Sequence, residues 1–249
     1  MREFETEIRT ADGVMDTFVC HPEEGGPRPA VILYMDAPGI REELRDMARR
    51  LGAVGYFVML PNMYYRVGRE GHYGYDLARI RDDDNERQKM FAVMQSLSNA
   101  LVVADTEGLV AFARGTEAAA AGPMGCVGYC MSGQYVMAAG AAYPDDFAAI
   151  ASYHGVGLIT DQDDSPHLTA DRIKGECYLG FASDDPYVPE AVLDALPGVL
   201  NEAGVDHRIE IYPDTEHGFV FPQRPVYRKA AAERHWETLF DLFSRRLRA

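Results

Sequence analysis

The chain alternates between short apolar runs and amphipathic stretches, and this pattern predicts the order of its elements. Residues 3–9 and 14–20 each alternate polar and apolar positions around Asp12-Gly13, which predicts a β-hairpin that turns at the Asp-Gly dipeptide. Continuous apolar runs then recur, as is typical of strands buried on both faces of a parallel sheet. These runs cover residues 30–35, 55–60, 124–129, 147–153, 175–182 and 206–212.

Helical spacing fills most intervals between these strands. The predicted helices cover residues 42–51, 86–114 (as two helices), 132–142, 189–203 and 227–248. Strands that alternate with helices predict an α/β fold, with a mostly parallel central sheet and helices on both faces. A chain of 249 residues is long enough for one large domain of this kind, so we expect a single domain over residues 1–249.

One interval, residues 62–85, lacks this helical spacing. It is polar but carries four tyrosines, at positions 64, 65, 73 and 75. A loop of such length in a compact domain is usually functional or disordered. Its aromatic content favours a lid or a pocket wall.

Charge and composition exclude several classes of function. The net charge of −15 argues against nucleic acid as a partner, because binding to phosphates needs clustered cations. The N-terminus is charged, and no run approaches the roughly 18 to 20 apolar residues of a membrane span. The four cysteines lack CxxC spacing, which argues against a disulfide framework or a zinc site. We therefore expect a cytoplasmic protein without membrane association; the pattern leaves monomer and homodimer both open.

The strongest local signal is the segment Gly128-Tyr129-Cys130-Met131-Ser132-Gly133, where an apolar strand stops and a helix of small residues begins. The apex of such an elbow has a strained backbone and needs very small neighbours. The apex is Cys130, which the elbow would place at a helix N-terminus, where a thiolate is favoured over a thiol. The alternatives are a buried structural cysteine or Ser132 as nucleophile, but Ser132 lacks the glycines that Gly-x-Ser-x-Gly requires.

Four polar groups follow the carboxyl ends of predicted strands, where sites form in open α/β sheets. They are Asp36, Cys130, Asp185 and His217. The order nucleophile, acid, histidine is that of α/β-hydrolases. Cys130 would attack a carbonyl, His217 would carry the proton, and Asp185 or its neighbour Asp184 would orient the imidazole.

These residues resemble the dienelactone hydrolase family, the carboxymethylenebutenolidases of the α/β-hydrolase fold, over nearly the whole chain. The elbow is similar to that family's Gly-x-Cys-x-Gly-Gly, with Ser132 in place of a glycine. The segment Asp185-Pro186-Tyr187-Val188-Pro189 resembles Asp-x-x-Val-Pro, which favours Asp185 over Asp184. The histidine loop, with His217-Gly218-Phe219, Arg224-Pro225 and Tyr227, and the segment Tyr153-His154-Gly155-Val156-Gly157-Leu158 complete the likeness.

The resemblance implies hydrolysis of a small ester or enol-lactone, such as dienelactone, through a cysteine acyl-enzyme without a metal or organic cofactor. It places Asp36 where the family has a glutamate that helps to form the thiolate. The backbone N–H groups of Met131 and Ala37 would form the oxyanion hole. The resemblance also implies substrate-binding positions at Tyr65, Arg66, His154, Phe221 and Arg224.

Two of these positions bear on the substrate. Phe221 occupies a position where family members that process dienelactone use an arginine, so either Arg224 substitutes for it or the substrate differs. Two further hypotheses stay open: a general carboxylesterase of small activated esters, and a non-catalytic module that binds an acid or lactone.

Overall fold

The computed structural model describes residues 1–248, and the chain forms two compact units, Met1–Ala120 and Ala121–Ala249. The single domain over residues 1–249 stays a prediction. Among residues 1–248, no helix is long and apolar enough to cross a membrane.

The first unit contains four strands and three helices. Its strands are β1 (Arg2–Thr10), β2 (Gly13–His21), β3 (Ala30–Tyr34) and β4 (Phe57–Pro61). Its helices are α1 (Glu42–Ala53), α2 (Asp84–Met94) and α3 (Asn99–Arg114). The strands lie in the order β1-β2-β4-β3, with β3 and β4 parallel and the hairpin antiparallel. The predicted hairpin is confirmed, but its two-residue turn is Ala11-Asp12, because Gly13 already pairs with Thr10. The two predicted helices are also present, and the first begins at Asp84, two residues earlier than predicted.

The second unit is built on a fully parallel set of strands. These are β5 (Met124–Tyr129), β6 (Phe147–Tyr153), β7 (Glu176–Asp184) and β8 (His207–Glu216), paired in that order. The helices are α4 (Ser132–Ala142), α5 (Glu190–Glu202) and α6 (Lys229–Leu247), with a short 3₁₀ helix at Pro166–Arg172.

Two glycines of β5 show that helices cover both of its faces. A Cβ atom on Gly125 would lie 2.9 Å from the Phe243 ring of α6. A Cβ atom on Gly128 would lie 2.8 Å from Val136 Cγ1 of α4. Because successive residues of a strand face opposite sides, positions three apart point in opposite directions. The predicted two-sided covering is therefore confirmed for this strand.

Strand β8 continues to Glu216, four residues beyond the end predicted from the apolar run, and it includes Pro213. Proline has no N–H to donate. It is tolerated in an edge strand, because one side of such a strand makes no backbone hydrogen bonds to a neighbouring strand. Within its unit, β8 pairs with β7 alone, and the register shifts between Ala182 and Asp184, beside the left-handed Asp214 (φ 54°). The extension brings the strand end directly to His217.

The loop at residues 62–85 is fastened within the first unit by its tyrosines. Tyr64 and Tyr75 donate hydrogen bonds to the carbonyl oxygens of Ala37 and Pro38, both at 2.9 Å. Tyr73 donates to Asn62 Oδ1 at 3.1 Å, and all three rings are buried. The lid or pocket-wall role of this loop stays a prediction.

Candidate active site

Cys130 occupies the apex of the elbow between β5 and α4. Its φ of 56° lies in the left-handed region, which non-glycine residues rarely adopt. The close approach of the chain explains the small neighbours: a Cβ on Gly128 would meet Val136 and, closer still, the carbonyl oxygen of Ser132. The predicted strained elbow is therefore present, and Cys130 is partly exposed at its tip. Ser132 is fully buried.

The loop after β6 braces this elbow. The carbonyl oxygen of Cys130 accepts hydrogen bonds from the N–H of Gly133 (3.1 Å) and of Val156 (2.9 Å). A Cβ on Gly133 would lie 2.7 Å from Ser152 Oγ and closer still to the Cα of Gly155. Glycine is thus required where helix and loop touch, and the backbone around Cys130 is held from two sides.

Asp185 and His217 form a tight pair at the ends of β7 and β8. Asp185 Oδ2 lies 2.8 Å from His217 Nδ1, and the two side chains are only 2% and 7% exposed. The other carboxylate oxygen accepts the N–H of Tyr187 at 3.0 Å, which fixes the carboxylate within its own turn. Because Nδ1 faces Asp185, Nε2 is the ring nitrogen of His217 that points away from the carboxylate.

The charge of His217 depends on this pair and on Cys130. Burial lowers the pKa of His217, but the hydrogen bond with Asp185 and the interaction with Cys130 outweigh it and raise the pKa to about 9. Nε2 is buried and has no hydrogen-bond partner of ordinary geometry within residues 1–248. Cys130 nevertheless lies close enough to raise the pKa of His217.

The other three cysteines differ from Cys130. Cys20, Cys126 and Cys177 are buried, and burial raises the pKa of Cys20 and of Cys177 to about 12 and that of Cys126 well above its usual value. Only a thiolate is a good nucleophile. We therefore expect these three buried thiols to be unreactive. Cys130 differs from them in being partly exposed.

His154 lies against His217 with its ring centroid 4.8 Å away. It is fully buried, its backbone is left-handed (φ 39°), and neither ring nitrogen has a hydrogen-bond partner among the described residues. Burial, followed by the charges of His217 and Arg224, lowers its pKa well below 6.5. His154 is thus a neutral imidazole beside a cationic one.

Arg224 lies with its guanidinium carbon 4.5 Å from the Phe221 ring centroid. Phe221 itself is fully buried, with ring centroids 5.6 Å from those of both His154 and Tyr129. Phe221 therefore packs among buried rings next to His154. Arg224 is a cation whose charge contributes to the lowered pKa of His154. Met131, the residue after Cys130, precedes α4.

The remaining predicted site residues belong to the first unit. Asp36 is buried after β3, as predicted, and both of its oxygens accept from Arg41, at 2.5 and 3.2 Å. Ala37 follows it and is buried. The roles of Asp36 in thiolate formation and of Ala37 in the oxyanion hole stay predictions from the resemblance.

Arg66 and Tyr65 have strong partners within that unit. Arg66 donates two hydrogen bonds to Asp105, both at 2.8 Å, and two to Asp12, at 2.7 and 2.9 Å. Tyr65 donates to Asp105 at 2.8 Å and lies 2.7 Å from Thr10 Oγ1. A guanidinium held by two carboxylates is less available to a third. The substrate-binding roles of Arg66 and Tyr65 stay predictions.

Sequence reasoning missed two aromatic residues beside the reactive groups. The ring centroid of Tyr187 lies 4.8 Å from that of His217, and Tyr187 is 57% exposed. Tyr135 of α4 is buried; burial, followed by the charges of Asp164 and Cys130, raises its pKa. Tyr187 could have been noticed, because it lies within the Asp185 motif; Tyr135 has no comparable local signal.

A sharp elbow after one parallel strand, with an acid and a histidine directly after two later ones, defines the α/β-hydrolase class. The chain belongs to the dienelactone hydrolase family, whose sequence profile matches residues 15–247. It is a hydrolase of that family.

Relatives and solved structures agree with this assignment. A protein of Methylorubrum extorquens, named provisionally as a carboxymethylenebutenolidase, is 29% identical over 243 residues, which cover 96% of this chain and 79% of the relative. A carboxymethylenebutenolidase of Rhodococcus opacus is 25% identical, with 89% and 83% covered. A provisionally named dienelactone hydrolase of Klebsiella pneumoniae superposes with a TM-score of 0.83 at 22% identity, covering 98% of both chains. The predicted α/β-hydrolase fold is confirmed.

Proposed function

We propose that this hydrolase cleaves a small ester or enol-lactone through an acyl-enzyme on Cys130. The observation that carries the proposal is the partly exposed Cys130 at a strained elbow, within electrostatic reach of a histidine that is held by Asp185. Nucleophile, proton carrier and orienting acid are the three parts that acyl transfer requires.

The reaction has two balanced steps. The Cys130 thiolate attacks the carbonyl carbon, the S–C bond forms, and the C–O bond of the ester breaks as the leaving oxygen takes the proton from His217 Nε2. Water then attacks the thioester and gives a proton to His217, which releases the acid and restores the thiolate. The N–H of Met131 is the proposed oxyanion donor in this unit, and such a donor contributes about 3 kcal/mol.

The charge of His217 suits a thiolate. A histidine with a pKa of about 9 is cationic near pH 7, so it stabilises an anionic sulfur and already carries the proton that the leaving group needs. A serine nucleophile would instead need a neutral imidazole to accept its proton. This difference favours Cys130 over the buried Ser132.

The choice between dienelactone and simple esters depends on the cation near His154. Phe221 supplies no charge, and Arg66 is engaged by Asp12 and Asp105. Arg224 is then the candidate partner for a substrate carboxylate within the second unit. A general esterase, the second candidate, is favoured by the buried phenylalanine at position 221.

The test is steady-state hydrolysis of dienelactone and of p-nitrophenyl acetate by the wild type and by Cys130→Ala under reducing conditions. We expect turnover that disappears in the variant, since alanine cannot form the acyl-enzyme. Cys177→Ala, which removes a buried thiol, is the matched control and should retain activity. Equal turnover by wild type and Cys130→Ala would contradict the nucleophile assignment. Turnover of neither ester would support the binding-module hypothesis.

A further inference from the structure

Tyr187 is a large aromatic side chain that the proposed mechanism does not use. It is 57% exposed, although burial of an aromatic ring is normally favourable. Its ring packs against His217 at 4.8 Å between centroids, with an interplanar angle of 67°. An exposed ring that touches the reactive histidine indicates a ligand-facing surface.

The backbone holds this ring in place. The N–H of Tyr187 donates to Asp185 Oδ1 at 3.0 Å, and the N–H of Val188 donates to the Asp185 carbonyl oxygen at 3.2 Å. Val188 is buried, and α5 begins two residues later at Glu190. The turn that orients the carboxylate of Asp185 therefore also orients the ring of Tyr187.

From this geometry we infer that Tyr187 forms a subsite for a planar, aromatic leaving group. The inference rests on the proposed function. A leaving oxygen must come within about 3 Å of His217 Nε2 to receive its proton. The group attached to that oxygen then lies beside the imidazole, whose own centroid is 4.8 Å from the Tyr187 ring. The centroid of an aryl group there would lie about 4.5 to 7 Å from that of the Tyr187 ring, which is the separation that aromatic pairs prefer.

The chain around Tyr187 and His217 is acidic in sequence. The exposed carboxylates of Asp184 and Glu190 both lie within three residues of Tyr187, and Glu216 precedes His217. This acidic sequence favours an uncharged aryl leaving group over an anionic one. The subsite therefore discriminates between esters by their leaving group. The acyl group, by contrast, is bound to Cys130.

The test compares phenyl acetate with vinyl acetate. Both are activated and give the same acetyl-enzyme, but only phenyl acetate carries an aromatic leaving group. Tyr187→Ala should lower kcat/KM for phenyl acetate about 3- to 10-fold more than for vinyl acetate. Tyr187→Phe should retain the wild-type ratio. Leu168→Ala removes an equally exposed apolar side chain, also 57%, from the 3₁₀ helix and should leave the ratio unchanged.

A binding measurement separates this inference from the proposed function. 2-Naphthol is titrated into Cys130→Ala and into the double variant with Tyr187→Ala, which requires no turnover. We expect about 3- to 10-fold weaker binding by the double variant. Equal affinity of the two proteins, or equal losses of kcat/KM for both esters, would overturn the subsite. Absence of ester turnover with intact naphthol discrimination would overturn the proposed reaction alone.

Discussion

The charge of His217 depends on two neighbours, Asp185 and Cys130. The pKa of about 9 at His217 results from Asp185 and Cys130 acting together against the effect of burial. At neutral pH the imidazole therefore carries a proton, and its charge is available to an anionic sulfur. The local sequence around His217 contains nothing that would predict this, because Asp185 lies 32 residues earlier in the chain.

Asp185→Asn should shift the pH dependence of hydrolysis. Activity should fall above about pH 9 in the wild type, because His217 then loses the proton that the leaving group needs. Removing the carboxylate lowers the pKa of His217, so the decline should begin at lower pH. The rate should also fall by about 100-fold or more, as the imidazole loses its orientation.

The measurement is a pH profile of kcat/KM for p-nitrophenyl acetate, with an NMR titration of the His217 ring. Asp184→Asn is the matched control, because Asp184 is exposed and adjacent; its profile should follow the wild type. If kcat/KM of Asp185→Asn declined at the same alkaline pH as that of the wild type, the assignment of Asp185 as the partner of His217 would be contradicted.

Strand β5, the elbow and helix α4 act as one element. The left-handed Cys130, the crowded Gly128 and the contact of Gly133 with Gly155 all depend on backbone segments that approach more closely than a Cβ allows. This explains why the glycines of the motif are needed on both sides of the apex. It also ties the position of Cys130 to the loop after β6.

Gly128→Ala should therefore destabilise the protein by about 1 to 3 kcal/mol through overpacking and reduce ester turnover. Gly198→Ala in α5 is the control, because a Cβ there would meet nothing within 4 Å. It should be neutral or stabilise by about 0.4 to 1 kcal/mol. Urea unfolding measures both, and a Gly128→Ala protein as stable and active as the wild type would refute the argument.

Two histidines give the whole molecule a pH-dependent stability. The pKa of His154 is depressed, so its contribution is present above its unfolded value of about 6.5 and is lost as the pH falls. The pKa of His217 is raised, so its contribution is present below about 6.5 and is lost as the pH rises through about 9. Together these two groups favour maximal stability near pH 6.5.

His154→Phe should flatten the acid side of this profile. The wild type should lose stability as the pH falls below about 6.5, because the unfolded chain binds a proton at the His154 imidazole that the buried ring resists. Phenylalanine removes the titrating group and keeps an aromatic ring in the same place. The readout is the free energy of unfolding in urea at each pH.

His72→Gln changes an exposed histidine and should keep the wild-type slope. A slope in His154→Phe equal to that of the wild type would show that His154 does not cause the acid sensitivity.

The order of strands and helices, the elbow at Cys130 and the strand ends that carry Asp36, Asp185 and His217 can be read from the sequence alone. These features follow from local physics: the period of apolar residues, the conformational freedom of glycine and the stops at polar turns. They are encoded within a few residues of where they act.

Which charges and which aromatic rings meet depends on the three-dimensional fold. Arg66 pairs with Asp105, 39 residues away, although its local stretch resembles a substrate-binding one. Tyr187 reaches His217 across 30 residues, and His154 becomes neutral because burial and the charges of His217 and Arg224 converge on it. Charge states and ion-pair partners depend on distance and burial in three dimensions. This chain has many carboxylates, and the sequence alone does not show which of them pairs with a given cation.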